Sequence, residues 1–485
     1  MSRRPDLRGA VSRPAYAMHT PRTKIVCTLG PASSTREQIH ALATAGMNVA
    51  RINFSHGTHE QHAETIRTVR SIADELQRPL AILGDLQGPR IRIGDLAAPR
   101  ELEPGVEVVL VHEGHEQGSE IPVTYDALAK DVKVGDRILI NDGLIELTTV
   151  AVSGDRVRAK VVYGGIMTSH KGINLPGVQV SAPALTDKDK ADVAFAVQQE
   201  LDYVALSFVR KPDDIRALRQ LIPRQLLVIA KIEKDVALRD IEAILLESDG
   251  VMVARGDLGV ELPFEEVPLA QKKIIALANR AGRPVITATQ MLESMIGNPR
   301  PTRAEASDVA NAIVDGTDAV MLSAETAAGQ YPTLAVEAMH RIIVEVEQHW
   351  TSRGRDERRG ERDTQATTEE TIAASTVTAV KMLHAPCIIV FTKSGVSART
   401  VSSHRPGVPI MALTDSPRTW RQLSLVWGVV PALGHHCESY DEMVALARTM
   451  VVRHGLASTG DRVIVTAGVP FDVPGTTNSL KVEMI

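Results

Sequence analysis

Two short stretches, AKIE at 230–233 and MVARGDLGVE at 252–261, each set an acidic side chain at the close of an apolar, strand-like run. Glu233 and Asp257 are therefore candidates to hold one metal ion. Magnesium suits such a pair, because it favours octahedral oxygen coordination and takes only one or two carboxylates, leaving other positions to water and substrate. Lys231 stands two residues before Glu233, which on a strand puts both on one face, so an ammonium group could sit beside a metal-bound phosphate. Opposed charges at one place suit polyanion chemistry, although two strand-end carboxylates taken alone serve as salt-bridge partners about as often as metal ligands.

Other polar residues fall where strands should end. RINFSHG at 51–57 offers Arg51, Asn53 and Ser55 along one face of a strand end, where a buried strand would be apolar; capping of the next helix is the plainer alternative. Asp85 in GDLQGPRIRIG also ends a strand, and Gly88, Pro89, Arg90 and Arg92 follow it at a natural hinge. Arg255, Gly256 and a tight turn up to Gly259 would add backbone N–H groups able to hold a carboxylate or phosphate. ATQMLESM at 288–295 contributes Thr289 and Gln290; Thr289 could hydrogen-bond a reacting group or simply cap.

These residues need a frame, and the hydrophobic pattern supplies one. From residue 23, β-branched runs alternate with amphipathic helical segments in a βαβ rhythm that breaks off between about 89 and 185 and then resumes to near Trp350. Eight strand–helix units result, which predicts a closed (β/α)8 barrel over 21–88 and 186–350, with chemistry at the carboxyl ends of its strands. Val-rich strands and Gly turns such as VGDRILINDG predict a small inserted β-barrel domain over 89–185. Residues 351–370 are charged and lack apolar anchors, so they mark a linker. An open α/β domain should occupy 371–485. The basic stretch at 1–20, with Arg3, Arg4, Arg8 and Arg13, is expected to be a disordered extension.

Composition excludes several classes. With 485 residues, 44% hydrophobic content and a net charge of -5 from 54 basic and 59 acidic residues, the chain offers no global field for nucleic acid. No apolar run approaches the roughly 20 residues a membrane span requires, and the beginning of the chain lacks a secretory hydrophobic stretch. Cys27, Cys387 and Cys437 are far apart and odd in number, which fits a reducing, cytoplasmic setting.

Taken together, KIVCTLGPAS, RINFSHG, KGINLPG, AKIE, MVARGDLGVE, ATQMLESM, PTRAEASDVANAIVDGTDAVMLSAETAAGQYP and the late GTTN resemble the pyruvate kinase family, in order over residues 22–485. The resemblance implies phosphoryl transfer from phosphoenolpyruvate to ADP, giving pyruvate and ATP, with a mobile lid and a C-terminal regulatory domain. It assigns Mg²⁺, with Mn²⁺ as an alternative, to Glu233 and Asp257, and the phosphoryl group in flight to Lys231. Arg51 and Arg92 match phosphate-contacting arginines, Gly256 and Asp257 the contacts to the substrate carboxylate, and Thr289 the place where the enolate is protonated. Lys171 would reach nucleotide phosphates from the lid, with Asn53 and His56 as further nucleotide-side candidates. A homotetramer is implied as well.

One departure matters. Many members bind potassium at the positions of Asn53, Ser55, Asp85 and Leu86, within a DTKGPEIRT string; here it reads DLQGPRIRI, so Leu86, Gln87, Arg90 and Ile93 replace Thr, Lys, Glu and Thr. That resembles a potassium-independent branch, with the permanently charged Arg90 guanidinium in place of the ion. In the last domain Thr392, Lys393, Ser394, Gly395 and Ser397, followed by Arg399, could form a phosphate nest for a sugar-phosphate or nucleotide effector, with PGTTN at 474–478 as another wall, or be an ordinary strand-to-helix turn. Two rivals stay open: a magnesium-enolate lyase, which would need neither lid nor ADP, and a non-catalytic metabolite sensor, which would have lost a catalytic residue.

Overall fold

The computed structural model describes residues 21–349, 366–437, 439–468 and 477–485. The extension at 1–20, most of the 351–370 linker and the first residues of PGTTN lie outside the described residues. The chain divides into two units, Lys24–His340 and a second containing Arg341–Ile485.

In the first unit eight parallel strands close into a barrel: Lys24–Leu29, Val49–Asn53, Ala81–Asp85, Tyr203–Leu206, Leu227–Ile232, Gly250–Ala254, Val285–Ala288 and Ala319–Leu322, here barrel strands 1 to 8. Strand 1 completes the ring by pairing with strand 2 (Val26 opposite Val49) and with strand 8 (Lys24 opposite Ala319). Helices cover the outer face while side chains fill the inside, so these strands are buried on both faces and read as continuous apolar runs. Strand 2 alone among the eight has partly exposed positions, at Arg51 and Asn53. The helices start where the sequence can cap them: Thr35, Thr58, Thr186 and Thr302 each form a reciprocal box with Gln38, Gln61, Asp189 and Glu305, each cap contributing about 1 kcal/mol.

The insert folds as a seven-stranded sheet in the order Ile91–Arg92, Gly172–Asn174, Arg137–Ile140, Ile145–Ser153, Arg156–Tyr163, Glu107–His112, Ile121–Val123. A bridge between Ile93 and Val123 brings its two edges together, so the sheet nearly closes on its own apolar core. A two-stranded ribbon, Arg100–Leu102 with Gly165–Met167, flanks it.

The second unit is a five-stranded sheet. Val429–Leu433, Ile410–Thr414, Ile388–Phe391 and Arg462–Gly468 run parallel, and Thr477–Met484 is antiparallel at the edge. Its first helix, Thr368–Leu383, begins before the expected residue 371 because Thr367 and Glu370 form a capping box inside the supposed linker.

Candidate active site

The polar residues singled out in the sequence gather at the carboxyl ends of barrel strands 2, 3 and 5. Arg51 lies opposite Thr28 of strand 1 and Leu83 of strand 3. Its Nε and Nη2 reach Asp85 Oδ2 at 2.7 Å each, and its Nη1 donates to Thr28 Oγ1 at 2.8 Å. Lys231 Nζ is 3.1 Å from Asp85 Oδ1 and 2.9 Å from Glu233 Oε1, and it donates to Ser207 Oγ at 2.8 Å. Lys231 and Glu233 thus share a face, as their spacing demands.

Burial and counter-charge compete in this cluster. Burial alone would strip the proton from Lys231, but the Asp85 and Glu233 carboxylates outweigh it and hold the ammonium above the ordinary lysine range. Burial likewise works against the Asp85 charge, and Lys231 and Arg51 overcome it, so that carboxyl lies below its usual value. Asp257 is the reverse case. Burial and then the neighbouring Glu233 charge push its carboxyl up to about 6, against the pull of Lys231 and Arg90. Among the described residues its carboxylate has neither a hydrogen bond nor an ion pair.

Asp257 does not end a strand. Where a tight turn up to Gly259 is expected, residues Arg255–Glu261 form a short helix with Asp257 in its first turn. Gly256 N–H, expected to face a substrate carboxylate, donates to Thr289 Oγ1 at 2.7 Å. Thr289 and Gln290 follow strand 7 with φ of 65° and 55°, a left-handed conformation that costs side-chain-bearing residues on the order of 1–2 kcal/mol each. Arg255 holds them there: its Nη2 donates to Thr289 O at 2.7 Å while its Nη1 grips both Asp308 oxygens at 2.8 and 2.7 Å.

Between the insert and the barrel lies a cleft of about 270 Å³ lined by Arg90, Arg92, Lys171, Arg210, Lys234 and Asp257, among others. Among the described residues, Arg90, Arg92 and Lys171 have no ion pair. Asn53 and His56 do not line this cleft: Asn53 Oδ1 accepts from Ser55 N at 3.1 Å, and the His56 carbonyl accepts from the His62 ring at 2.9 Å. Of the potassium-region residues, Asp85 has both oxygens facing cations, and Leu86 is buried with its carbonyl accepting from Ser207 Oγ at 2.7 Å. Sequence reasoning missed Ser207, Phe208, Arg210 and Lys234. SFVR closes strand 4 by the same polar-end signal used elsewhere, and Lys234 adjoins Glu233; Phe208 acts through its N–H, 2.7 Å from Glu233 Oε2, which no side-chain signal reveals.

In the other unit, the Thr392–Ser397 loop is tied down by one bond of its own and by neighbouring side chains. Gly395 N donates to Thr392 Oγ1 at 2.9 Å, Lys393 Nζ meets Asp415 Oδ2 at 2.5 Å, Ser397 Oγ meets Thr477 Oγ1 at 2.5 Å, and Ser394 O accepts from Arg399 at 3.4 Å.

Among the described residues no set of three or more His, Cys, Asp and Glu side chains forms a metal cage. A half-buried, unpaired Asp257 beside Glu233 instead fits an ion that takes two carboxylates and fills its remaining sites from water and substrate.

Comparison with known proteins decides the family. The pyruvate kinase barrel-domain model matches residues 20–336, and the pyruvate kinase alpha/beta-domain model matches residues 370–483. This chain belongs to the pyruvate kinase family. It is 46% identical to the pyruvate kinase of Geobacillus stearothermophilus over 96% of this chain and 80% of the relative. It is 44% identical to that of Clostridium acetobutylicum over 96% and 99%. The crystal structure of a pyruvate kinase from Cryptosporidium parvum superposes with a TM-score of 0.91 at 36% identity, covering 96% of each chain. The pyruvate kinase architecture of catalytic barrel, inserted sheet and C-terminal α/β domain is therefore present, the chain is a phosphotransferase, and its reaction is phosphoryl transfer from phosphoenolpyruvate to ADP, yielding pyruvate and ATP.

Proposed function

We propose that the chain carries out this reaction with Glu233 and Asp257 as Mg²⁺ ligands, Mn²⁺ being an alternative, without potassium, and under control of an effector. The observation that carries the reading is the Lys231 ammonium, fixed between Asp85, Glu233 and Ser207, together with a nearby carboxylate, Asp257, that makes no ion pair or hydrogen bond among the described residues. The bound ion would neutralise charge on the substrate's carboxylate and phosphoryl oxygens. Lys231 and Arg51 stabilise the phosphoryl group as it leaves; such transfer gains chiefly from positioning and charge neutralisation. A substrate carboxylate reaching Gly256 N–H displaces Thr289 Oγ1 as its acceptor; the hydroxyl hydrogen, donated to Ala288 O at 2.7 Å, must turn from that carbonyl to serve the protonation of the enolate. Arg92 and Lys171 face ADP phosphates from the insert, which acts as a lid over 89–185. Asn53 and His56, the further nucleotide-side candidates, stand outside the cleft lining.

Potassium independence rests on the Asp85 carboxylate, already neutralised by Arg51 and Lys231, and on Arg90, which adds positive field toward Asp257. An effector bearing phosphate would compete with Asp415 for Lys393 in the 371–485 domain. A homotetramer follows from likeness to the family, and sedimentation velocity checks it. Among the described residues no helix is long and apolar enough to cross a membrane; the cytoplasm is the proposed location.

Lys231→Met tests the central role. Turnover should fall by about a thousandfold or more while phosphoenolpyruvate binding is largely kept, as for a contact made in the transition state. Near-normal turnover would refute it.

A further inference from the structure

The inserted domain is joined to the barrel by two crossings, one leaving through Gly88 and one returning at Thr186. Far apart in sequence, they meet on one carboxylate. Asp189, in the first turn of helix Asp187–Gln198, is 0% exposed. Its Oδ1 accepts from Gly88 N at 3.0 Å, and its Oδ2 accepts from Thr186 N at 2.9 Å and Thr186 Oγ1 at 2.6 Å. The Asp189 N–H returns to Thr186 Oγ1 at 3.1 Å. A capping box accounts for the bonds to Thr186 and uses a single oxygen. The second oxygen reaches across to the outgoing crossing, which capping does not require.

Gly88 is itself held tightly. Its φ is +70°, and a Cβ there would lie 2.8 Å from Phe208 Cδ2 and 3.0 Å from Ser207 Cβ. Those two neighbours belong to the catalytic cluster, since Ser207 Oγ receives Lys231 and Phe208 N donates to Glu233. Ser207 Oγ also donates to Leu86 O at 2.7 Å. One contiguous network therefore runs from the returning crossing through Asp189 to the outgoing crossing and on to the lysine. Arg90 and Arg92 follow Gly88 by two and four residues, so any swing at Gly88 moves them directly.

We propose that Asp189 is a positioning residue, a hinge pin that gives the inserted domain one orientation and so sets where Arg92 and Lys171 stand over the cleft. Its kinetic consequence rests on the reading of those two as nucleotide-side cations; its geometric consequence does not.

The test uses the full chain with Cys437→Ser, because Cys27 and Cys387 are buried. Spin labels go on Val134→Cys in the insert and Leu246→Cys on the barrel, both well exposed. An amide can accept on one side only, so Asp189→Asn frees one crossing. Thr186→Ala loses the cap hydroxyl yet leaves both main-chain N–H groups on Asp189. For Asp189→Asn the label distance distribution should widen and the KM for ADP should rise about tenfold, while proton exchange at the methyl group of pyruvate without ADP stays within about twofold. Thr186→Ala should keep a narrow distribution and the parental KM. A distribution that stays narrow in Asp189→Asn, or widens equally in Thr186→Ala, overturns the pin. A widened distribution with unchanged KM for ADP upholds the pin and rejects the nucleotide role of Arg92 and Lys171. Hydrogen exchange on the unaltered protein needs no variant to fold: Gly88 and Thr186 amides should show matching protection, and a far faster Gly88 amide contradicts the proposal.

Discussion

Neutralising Asp85 should harm Lys231, the lysine proposed as catalytic, more than the grip on substrate. Asp85 is 1% exposed, with Arg51 on one oxygen at 2.7 Å and Lys231 on the other at 3.1 Å. Asparagine is nearly isosteric, so in Asp85→Asn the change is one of charge rather than of volume. Breaking a buried ion pair by removing one partner costs about 3–5 kcal/mol, and the denaturant midpoint should fall accordingly with its slope unchanged. Lys231 provides a second, independent readout. Its folded pKa stands above the unfolded value because Asp85, then Glu233, outweigh burial. A group raised in this way adds stability that is complete below its unfolded pKa and is lost as pH rises through the folded one. The unaltered protein should therefore keep Lys231 charged throughout the alkaline assay range. Without Asp85, its larger support, burial gains ground and the folded pKa drops. Turnover of the variant should then decline with rising pH where the parent is flat, read from log kcat against pH. The KM for phosphoenolpyruvate at neutral pH should hold or fall, since the anion meets a more positive site. An unchanged midpoint together with a parental alkaline profile would refute the reasoning.

Chelation by EDTA should abolish turnover, and Asp257→Asn should weaken Mn²⁺ binding by roughly a hundredfold or more in an electron-paramagnetic-resonance titration, since even outer partners of metal ligands cost 10–100-fold; unchanged affinity would place the ion elsewhere. Rates in tetramethylammonium buffer should agree within about twofold with and without potassium if the Arg90 guanidinium supplies the missing charge, and a strong potassium requirement contradicts that assignment.

The barrel is legible in the sequence because its strands are buried on both faces, so apolar runs ending in Arg51, Asp85 or Glu233 stand out against their own composition. The period of two then puts Lys231 and Glu233 on one face, as found at 2.9 Å. Legibility fails where function passes through the main chain. The left-handed φ of Thr289 is accompanied by the Arg255 guanidinium reaching its carbonyl from the end of the neighbouring strand, and neither propensity nor pattern encodes such a contact. The helix at Arg255–Glu261 reads as a turn because Gly256 and Gly259 suppress its helical signal. Asp189 reads as an ordinary first-turn acid, since its partner at Gly88 is distant in sequence.

The charges around the cluster argue that it is an incomplete site and not a structural ion-pair network. Arg51 and Lys231 are matched by Asp85 and Glu233 at 2.7 to 3.1 Å, a closed set. A network serving only stability would end there, with its neighbours neutral or paired. Instead Asp257 adds another, half-buried carboxyl, which burial and then the Glu233 charge push up to about 6. Across the same cleft Arg90, Arg92 and Lys171 present charges with no ion pair among the described residues. Asp257, half-buried, bears a desolvation cost that no ion pair repays, whereas Arg90 is exposed and Arg92 and Lys171 are partly so, which leaves these cations open to a ligand. A divalent cation on the acidic side and phosphate on the basic side would complete both halves of the cleft, and the proposed phosphoryl transfer brings the two together.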